Sequence, residues 1–268
     1  MRCVLLQTDP VWQDLPASRA RLADMLASAG DVRGAFVVAP EMAESGFTMH
    51  PANACDGANL SFAAELAMRH GCFLQHGFIE RTATGHRNRV AIVGPDGVVR
   101  LAYSKNHLFS PAGESRCYEA GHAISIAEVA GLRVSSFICY DLRFPELWRH
   151  AALAGAEVLA LSACWPQVRQ AHWRALSIAR AIENQAFMIA CNRTGQEPNA
   201  SYGGGSLVVA PDGEVLAEAG AESGPLFADI DPERVRGWRA KFPALRDAHR
   251  ELLGAIPVET SADSARIR

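Results

Sequence analysis

No apolar run in the sequence approaches the roughly 18 residues that a membrane-spanning helix needs, and residues 1–10 are too short in apolar character for a secretory leader. A soluble, cytoplasmic protein is the expectation. Nor is there an excess of charge: the formal net charge is −3 with the signs interspersed. That excludes an extended nucleic-acid or anionic-membrane surface and leaves a small molecule as the expected partner. The chain lacks any C-x-x-C pair. Its seven cysteines, at 3, 55, 72, 117, 139, 164 and 191, form an odd, scattered set, so neither a disulfide framework nor a zinc site is indicated. Most lie inside apolar runs, where cysteine acts as a small hydrophobe. Low-complexity segments, short-period repeats and breaks in composition are also missing. With 49% hydrophobic residues, one core and one domain over 1–258 are expected, followed by a mobile tail at 259–268.

What is present alternates strand and helix. Strands are predicted at 2–8, 34–40 and 72–80, with amphipathic helices at 16–29 and 59–70 between them. Residues 88–93 and 98–104 form a hairpin across Pro95-Asp96-Gly97, and 123–129 pairs with 132–138. After an irregular loop at 109–121 and a helix at 145–154, the β-α-β pattern returns: strand 157–162, helix 169–185, strand 186–191. A last hairpin crosses Pro211-Asp212-Gly213, a strand follows at 225–230, and the chain turns helical from Pro232. Two such halves with hairpins between them suit a four-layer α-β-β-α sandwich of the α/β class.

Three predicted strand ends carry chemistry: Glu41 after Ala39-Pro40, Lys105 after Tyr103-Ser104, and Cys139 after a β-branched run. Side chains on strands are held more firmly than those on free loops. A thiol titrates near ~8.5 in water, so it needs a base or a cation beside it to be a nucleophile at neutral pH. Glu41 and Lys105 supply one of each. His107, two residues beyond Lys105, is expected to support the loop. Taken singly, each of the three residues also fits a cap, a solvated cation or a core thiol.

The local sequences are more specific. Pro40-Glu41-Met42, residues 103–109 and residues 139–146 (Cys-Tyr-Asp-Leu-Arg-Phe-Pro-Glu) resemble, in order, the three signature segments of the nitrilase, or carbon-nitrogen hydrolase, superfamily. Within it, Ser45-Gly46-Phe47, Trp165-Pro166, His172-Trp173 and residues 180–185 are similar to bacterial omega-amidases, which hydrolyse the terminal amide of 2-oxoglutaramate or 2-oxosuccinamate. The resemblance implies a nitrilase-type sandwich, no cofactor, no metal and a homodimer. It also implies Glu41 as general base, Lys105 as electrostatic stabiliser, Cys139 as nucleophile, Glu114 orienting Lys105 and the amide, and the Tyr140 N–H as an oxyanion donor. Arg143, Trp165, Phe47 and His172 are the candidate substrate contacts, with Arg169, Arg174 and Arg193 as further candidate carboxylate forks. Rival readings are a deaminated-glutathione amidase, a true nitrilase, a catalytically dead scaffold and a thiol redox sensor. Two departures stand out: Ala43-Glu44 where relatives carry Phe-Thr, expected to alter the pocket rim, and Gly204-Gly205 where Gly-Asp is usual.

Overall fold

The computed structural model describes residues 1–254 and 258–260. In chain order the elements are β1 (Arg2–Gln7), α1 (Leu15–Ser28), β2 (Phe36–Val38), α2 (Asn59–His70), β3 (Phe73–Arg81), β4 (His86–Val93), β5 (Val99–Ser104), β6 (Ile124–Val129), β7 (Leu132–Ile138) and α3 (Pro145–Leu153). There follow β8 (Val158–Ala163), α4 (Gln170–Asn184), β9 (Phe187–Asn192), β10 (Thr194–Glu197), β11 (Ala200–Gly203), β12 (Leu207–Val209), β13 (Val215–Glu218), β14 (Gly224–Asp229), α5 (Pro232–Lys241) and β15 (Val258–Thr260). One sheet has six strands in the order β14-β1-β2-β3-β4-β5, and the other seven, β13-β12-β9-β8-β7-β6-β15.

Side-chain alternation builds the layers. In β1, Cys3 and Leu5 face the second sheet and share a core with Val134, Phe137 and Leu161, whereas Val4 and Leu6 face the other way onto Leu22 and Leu26 of α1 and Leu66 of α2. Both faces of the central strands are therefore covered, and their sequences are apolar throughout instead of alternating. On the far side, Trp148 of α3 and Trp173 of α4 are wholly buried in the core they share with the second sheet. The result is the four-layer α-β-β-α sandwich.

The helices start and stop where local chemistry dictates. The Asp14 side chain accepts the Ala17 N–H at the head of α1, with Pro16 in the first turn, and α2 ends at Gly71 in the left-handed conformation (φ 63°). Two buried serines and a glutamine join the sheets: Ser136 Oγ donates to Gln75 Oε1 (2.7 Å), Gln75 Nε2 to Ser162 Oγ (2.9 Å), and Ser162 Oγ to the Ala39 carbonyl (2.6 Å). This clasp lies just below the carboxyl ends of β2, β7 and β8, where α/β folds place their sites.

Two expectations change. The loop at 109–121 holds two short 3-10 turns, Ser110–Ala112 and Glu114–Arg116. Glu259 and Thr260, assigned from sequence to a mobile tail, instead pair in β15 with Ser125 and Ile126 of β6, because an open sheet edge offers unpaired backbone groups to any extended segment. The rest of that expected tail, 261–268, lies outside the described residues. The β10-β11 hairpin was not anticipated; its polar residues carry no strand signature.

Candidate active site

Glu41, the third residue past the end of β2, is wholly buried. Its Oε1 accepts from Lys105 Nζ (2.7 Å) and Asn88 Nδ2 (2.7 Å), and its Oε2 accepts the Cys164 N–H (2.9 Å). Lys105, at the end of β5, also donates to both oxygens of Glu114 (2.9 and 3.1 Å), and Asn88 Nδ2 reaches Glu114 Oε1 at 2.8 Å. Glu114 is fixed in turn by the Phe109 N–H (2.5 Å). Burial alone would push the Lys105 ammonium toward neutrality, but Glu114 and Glu41 outweigh it and hold its pKa well above the usual lysine range. Two carboxylates thus share the one ammonium.

Cys139 is the first residue past β7 and has a positive φ of 42°, a strained conformation for a residue with a Cβ. It opens the 3-10 turn Cys139–Arg143, at whose start the Tyr140 N–H has no acceptor within the turn. Burial, and after it the Glu41 charge, push the Cys139 thiol well above its ordinary pKa, while Lys105 pulls the other way. The resting sulfur is thus a protonated thiol. Asp141 ties this turn to the lysine strand: its carboxylate accepts from Tyr103 Oη (2.7 Å), the Ile138 N–H (3.1 Å) and the His107 N–H (2.9 Å). His107 stacks on Phe144 with ring centroids 3.6 Å apart, which is the loop-supporting place expected for it.

A cavity of about 1090 Å³ opens above the sulfur. Cys139, Tyr140, Phe47, Trp165 and Arg143 are on its wall, while Glu41, Lys105 and Glu114 lie behind it, each no more than 1% exposed. The Phe47 ring covers the Lys105 ammonium at 5.2 Å, and the Arg143 guanidinium lies over the Trp165 ring at 4.9 Å. His172 is not on the wall; its Nδ1 meets Arg143 Nη2 at 3.0 Å, so it can act only through that arginine. Arg174 pairs with Glu218 on the surface, and Arg193 is wholly buried between Asp9 and Glu197, so neither is free to hold a ligand.

Both sequence departures have a structural account. Glu44 does not touch the pocket rim: it is buried on the far side of its loop, its Oε1 against His76 Nε2 (2.6 Å) and its Oε2 against Arg19. Gly204 and Gly205 both have positive φ (62° and 71°), and a Cβ on Gly205 would stand 2.2 Å from Gln170 Nε2. Four contributors escaped the sequence reading. Asn88 and Cys164 touch Glu41, Asp141 links two of the signature segments, and Glu197 accepts the Phe47 N–H at 3.2 Å. Only Asp141 carried a signal, its place within Cys139-Tyr140-Asp141; the others are ordinary residues whose partners lie far away in sequence. Among the described residues there is no group of three or more His, Cys, Asp or Glu side chains placed to hold a metal, and no helix is long and apolar enough to cross a membrane.

The profile of the carbon-nitrogen hydrolase family matches residues 4–240. The omega-amidase YafV of Escherichia coli K12 is 36% identical over 92% of this chain and 96% of its own, and the 2-oxoglutaramate amidase of Bacillus subtilis 39% identical over 72% and 74%. A CN-hydrolase superfamily protein of Xanthomonas campestris, solved with an arsenic adduct in its active site, superposes with a TM-score of 0.87 at 30% identity, over 92% of this chain and 97% of its own. The three signature segments thus meet around one buried cluster in a fold shared with these proteins, and the chain belongs to the carbon-nitrogen hydrolase family.

Proposed function

We propose that the chain is an omega-amidase, cleaving the terminal amide of 2-oxoglutaramate or 2-oxosuccinamate to the 2-oxo dicarboxylic acid and ammonia. The observation that carries this reading is the meeting, in one cavity, of the Cys139 thiol backed by Glu41, Lys105 and Glu114 with the Arg143 guanidinium, which has no carboxylate partner among the described residues. The omega-amidase relatives support it.

The reaction follows from the charges. As Sγ attacks the amide carbon, the Cys139 proton passes to Glu41, the buried carboxylate behind it, acting as general base. The tetrahedral oxyanion develops between Lys105 Nζ and the Tyr140 N–H, donors already oriented and shielded from water. Glu41 returns the proton to the departing nitrogen, ammonia leaves and a thioester remains. Glu41 then deprotonates a water that attacks the thioester, releasing the acid and restoring the thiol. Asn88 and Glu114 hold Glu41 and Lys105 in register throughout. Arg143 receives the substrate carboxylate as a fork, between Trp165 and Phe47.

The cavity is larger than a five-carbon amide needs, which favours deaminated glutathione as the second reading. Ammonia release from 2-oxoglutaramate, deaminated glutathione and a simple nitrile separates the two amidases and a nitrilase; the highest kcat/KM is expected for 2-oxoglutaramate. Cys139→Ala should show no turnover and Cys139→Ser traces at most, and mass spectrometry of the trapped protein should find the acyl group on Cys139 alone. Ordinary turnover by Cys139→Ala refutes the nucleophile. A nucleophilic thiol works only when reduced, which suits the cytosol. The homodimer that the family resemblance implies is tested by sedimentation.

A further inference from the structure

We infer that Arg169 is a second contact for the polar end of the substrate, and that with Arg143 it selects a 2-oxo acid amide over the corresponding amino acid amide. This rests on the omega-amidase reading and deepens it. Both guanidiniums lie on the cavity that holds Cys139. Among the described residues the Arg143 guanidinium has a single side-chain hydrogen-bond partner, His172 Nδ1, and the Arg169 guanidinium has none. Elsewhere the chain neutralises its buried arginines: Arg193 with Asp9 and Glu197, Arg180 with Glu183, Arg89 with Glu80. Two half-buried cations left without counter-charge on one wall are a binding surface for an anion.

One indole places them both. The Trp165 ring lies under Arg143 at 4.9 Å, and its Nε1 donates to the Arg169 backbone carbonyl at 2.8 Å; the Arg169 guanidinium itself lies over the Phe109 ring at 5.4 Å. Among the described residues the one carboxylate on the same wall, Glu197, is already occupied by Arg193 Nη1 (2.5 Å), the Phe47 N–H and Tyr202 Oη. The wall is therefore cationic and rich in donors.

A 2-oxo acid end presents only acceptors, two carboxylate oxygens and the oxo oxygen, and matches two guanidiniums, which have donors alone. An amino acid end replaces the oxo group by an ammonium. That places a cation and its donors against cations and donors, a repulsive element as well as a lost bond. Phe109 and Trp165 keep both guanidiniums from turning away to solvent.

The test is kcat/KM for 2-oxoglutaramate, for 4-carbamoylbutanoate, which has a methylene in place of the oxo group, and for L-glutamine, in the wild-type chain and in Arg169→Gln and Arg169→Lys. Arg169→Gln should lower the value for 2-oxoglutaramate by roughly tenfold to a hundredfold, the worth of one hydrogen bond to a charged group, chiefly through KM. The value for 4-carbamoylbutanoate, which keeps the carboxylate but not the oxo oxygen, should fall less, and that for L-glutamine least, which narrows the preference over L-glutamine. Arg169→Lys should restore part of that preference. An equal fall for all three substrates marks a structural role and overturns the inference, as does no change for 2-oxoglutaramate. If the wild-type chain releases no ammonia from 2-oxoglutaramate, the omega-amidase reading fails by itself. The cationic wall is then read from 4-carbamoylbutanoate against butyramide: a ratio lowered in Arg169→Gln sustains Arg169 as an anion contact, and an unchanged ratio overturns it.

Discussion

Lys105 is one of only two lysines among 26 Lys and Arg residues, so a chain that mostly uses arginine for positive charge makes an exception at the buried cation between Glu41 and Glu114. Geometry explains the exception. An ammonium is compact and has three donors that can point in different directions; here they meet Glu41 on one side and Glu114 on the other beneath the Phe47 ring. A planar guanidinium is longer, and a side chain 1% exposed leaves it no room. Lys105→Arg is therefore expected to be as damaging as Lys105→Ala. Each should lower kcat by about 100- to 1,000-fold, the usual consequence of losing an oxyanion donor, with a smaller change in KM. Steady-state ammonia release measures this, with a thermal melt confirming that the variants fold; near-normal kcat in Lys105→Arg would remove Lys105 from the oxyanion site. The identity of this residue was legible in the sequence because a signature segment surrounds it, whereas Asn88, which bonds the same two carboxylates, was not. An asparagine at the start of a strand looks the same whether it faces water or a buried glutamate.

At the level of elements, β3 is the backstop for the loop that carries Glu41. The Gly77 carbonyl accepts the Ala43 N–H (2.9 Å), and a Cβ on Gly77 would stand 2.2 Å from the Pro40 carbonyl oxygen and 2.8 Å from the Glu41 Cα. Only a residue without a side chain lets the two backbones approach so closely. Met42, next in the loop, has a positive φ of 43°, so this segment has little freedom to move aside. Gly77→Ala should displace Glu41 and cost about 1–3 kcal/mol of stability, as overpacking does. Denaturant unfolding and kcat should fall together, and a variant with unchanged kcat would mean that the position of Glu41 tolerates the shift. Strands and helices were legible here because their apolar periods are local: α2 spans Asn59–His70, the limits its pattern gave, and both Pro-Asp-Gly hairpins form. The inter-sheet clasp of Gln75, Ser136 and Ser162, the inward placement of Glu44 and the β10-β11 hairpin were not legible. Each depends on a polar partner that the fold supplies from a distant part of the chain, and hydrophobic periodicity says nothing about such partners.

Over the whole molecule, a protein that keeps its thiols inside becomes sensitive to alkali. Burial raises Cys3 to about 12 and Cys72 to about 11, above the ordinary range of a free thiol, and it pushes Cys139, Cys164 and Cys191 upward as well. Below pH 9 these thiols are protonated in both the folded and the unfolded chain, and their contribution to stability is fully present. As the pH rises past 9 the unfolded chain releases protons that the folded chain retains. Unfolding is then favoured by about 1.4 kcal/mol per pH unit for each such thiol, until the pH passes its folded value. For Cys72 that window runs from 9 to about 11. The buried phenols of Tyr103 and Tyr118, also raised above 10.0, add the same sign beyond pH 10. The midpoint of urea unfolding under reducing conditions should therefore fall steeply between pH 9 and 11. Cys72→Ala, which keeps a small apolar group between α2 and β3, should make that fall shallower by one thiol's share while leaving the stability at pH 7 lowered only by the lost sulfur contacts. A wild-type midpoint that stays level to pH 11 would mean that water reaches these thiols in the folded chain, and the two cores described above would be looser than their packing implies.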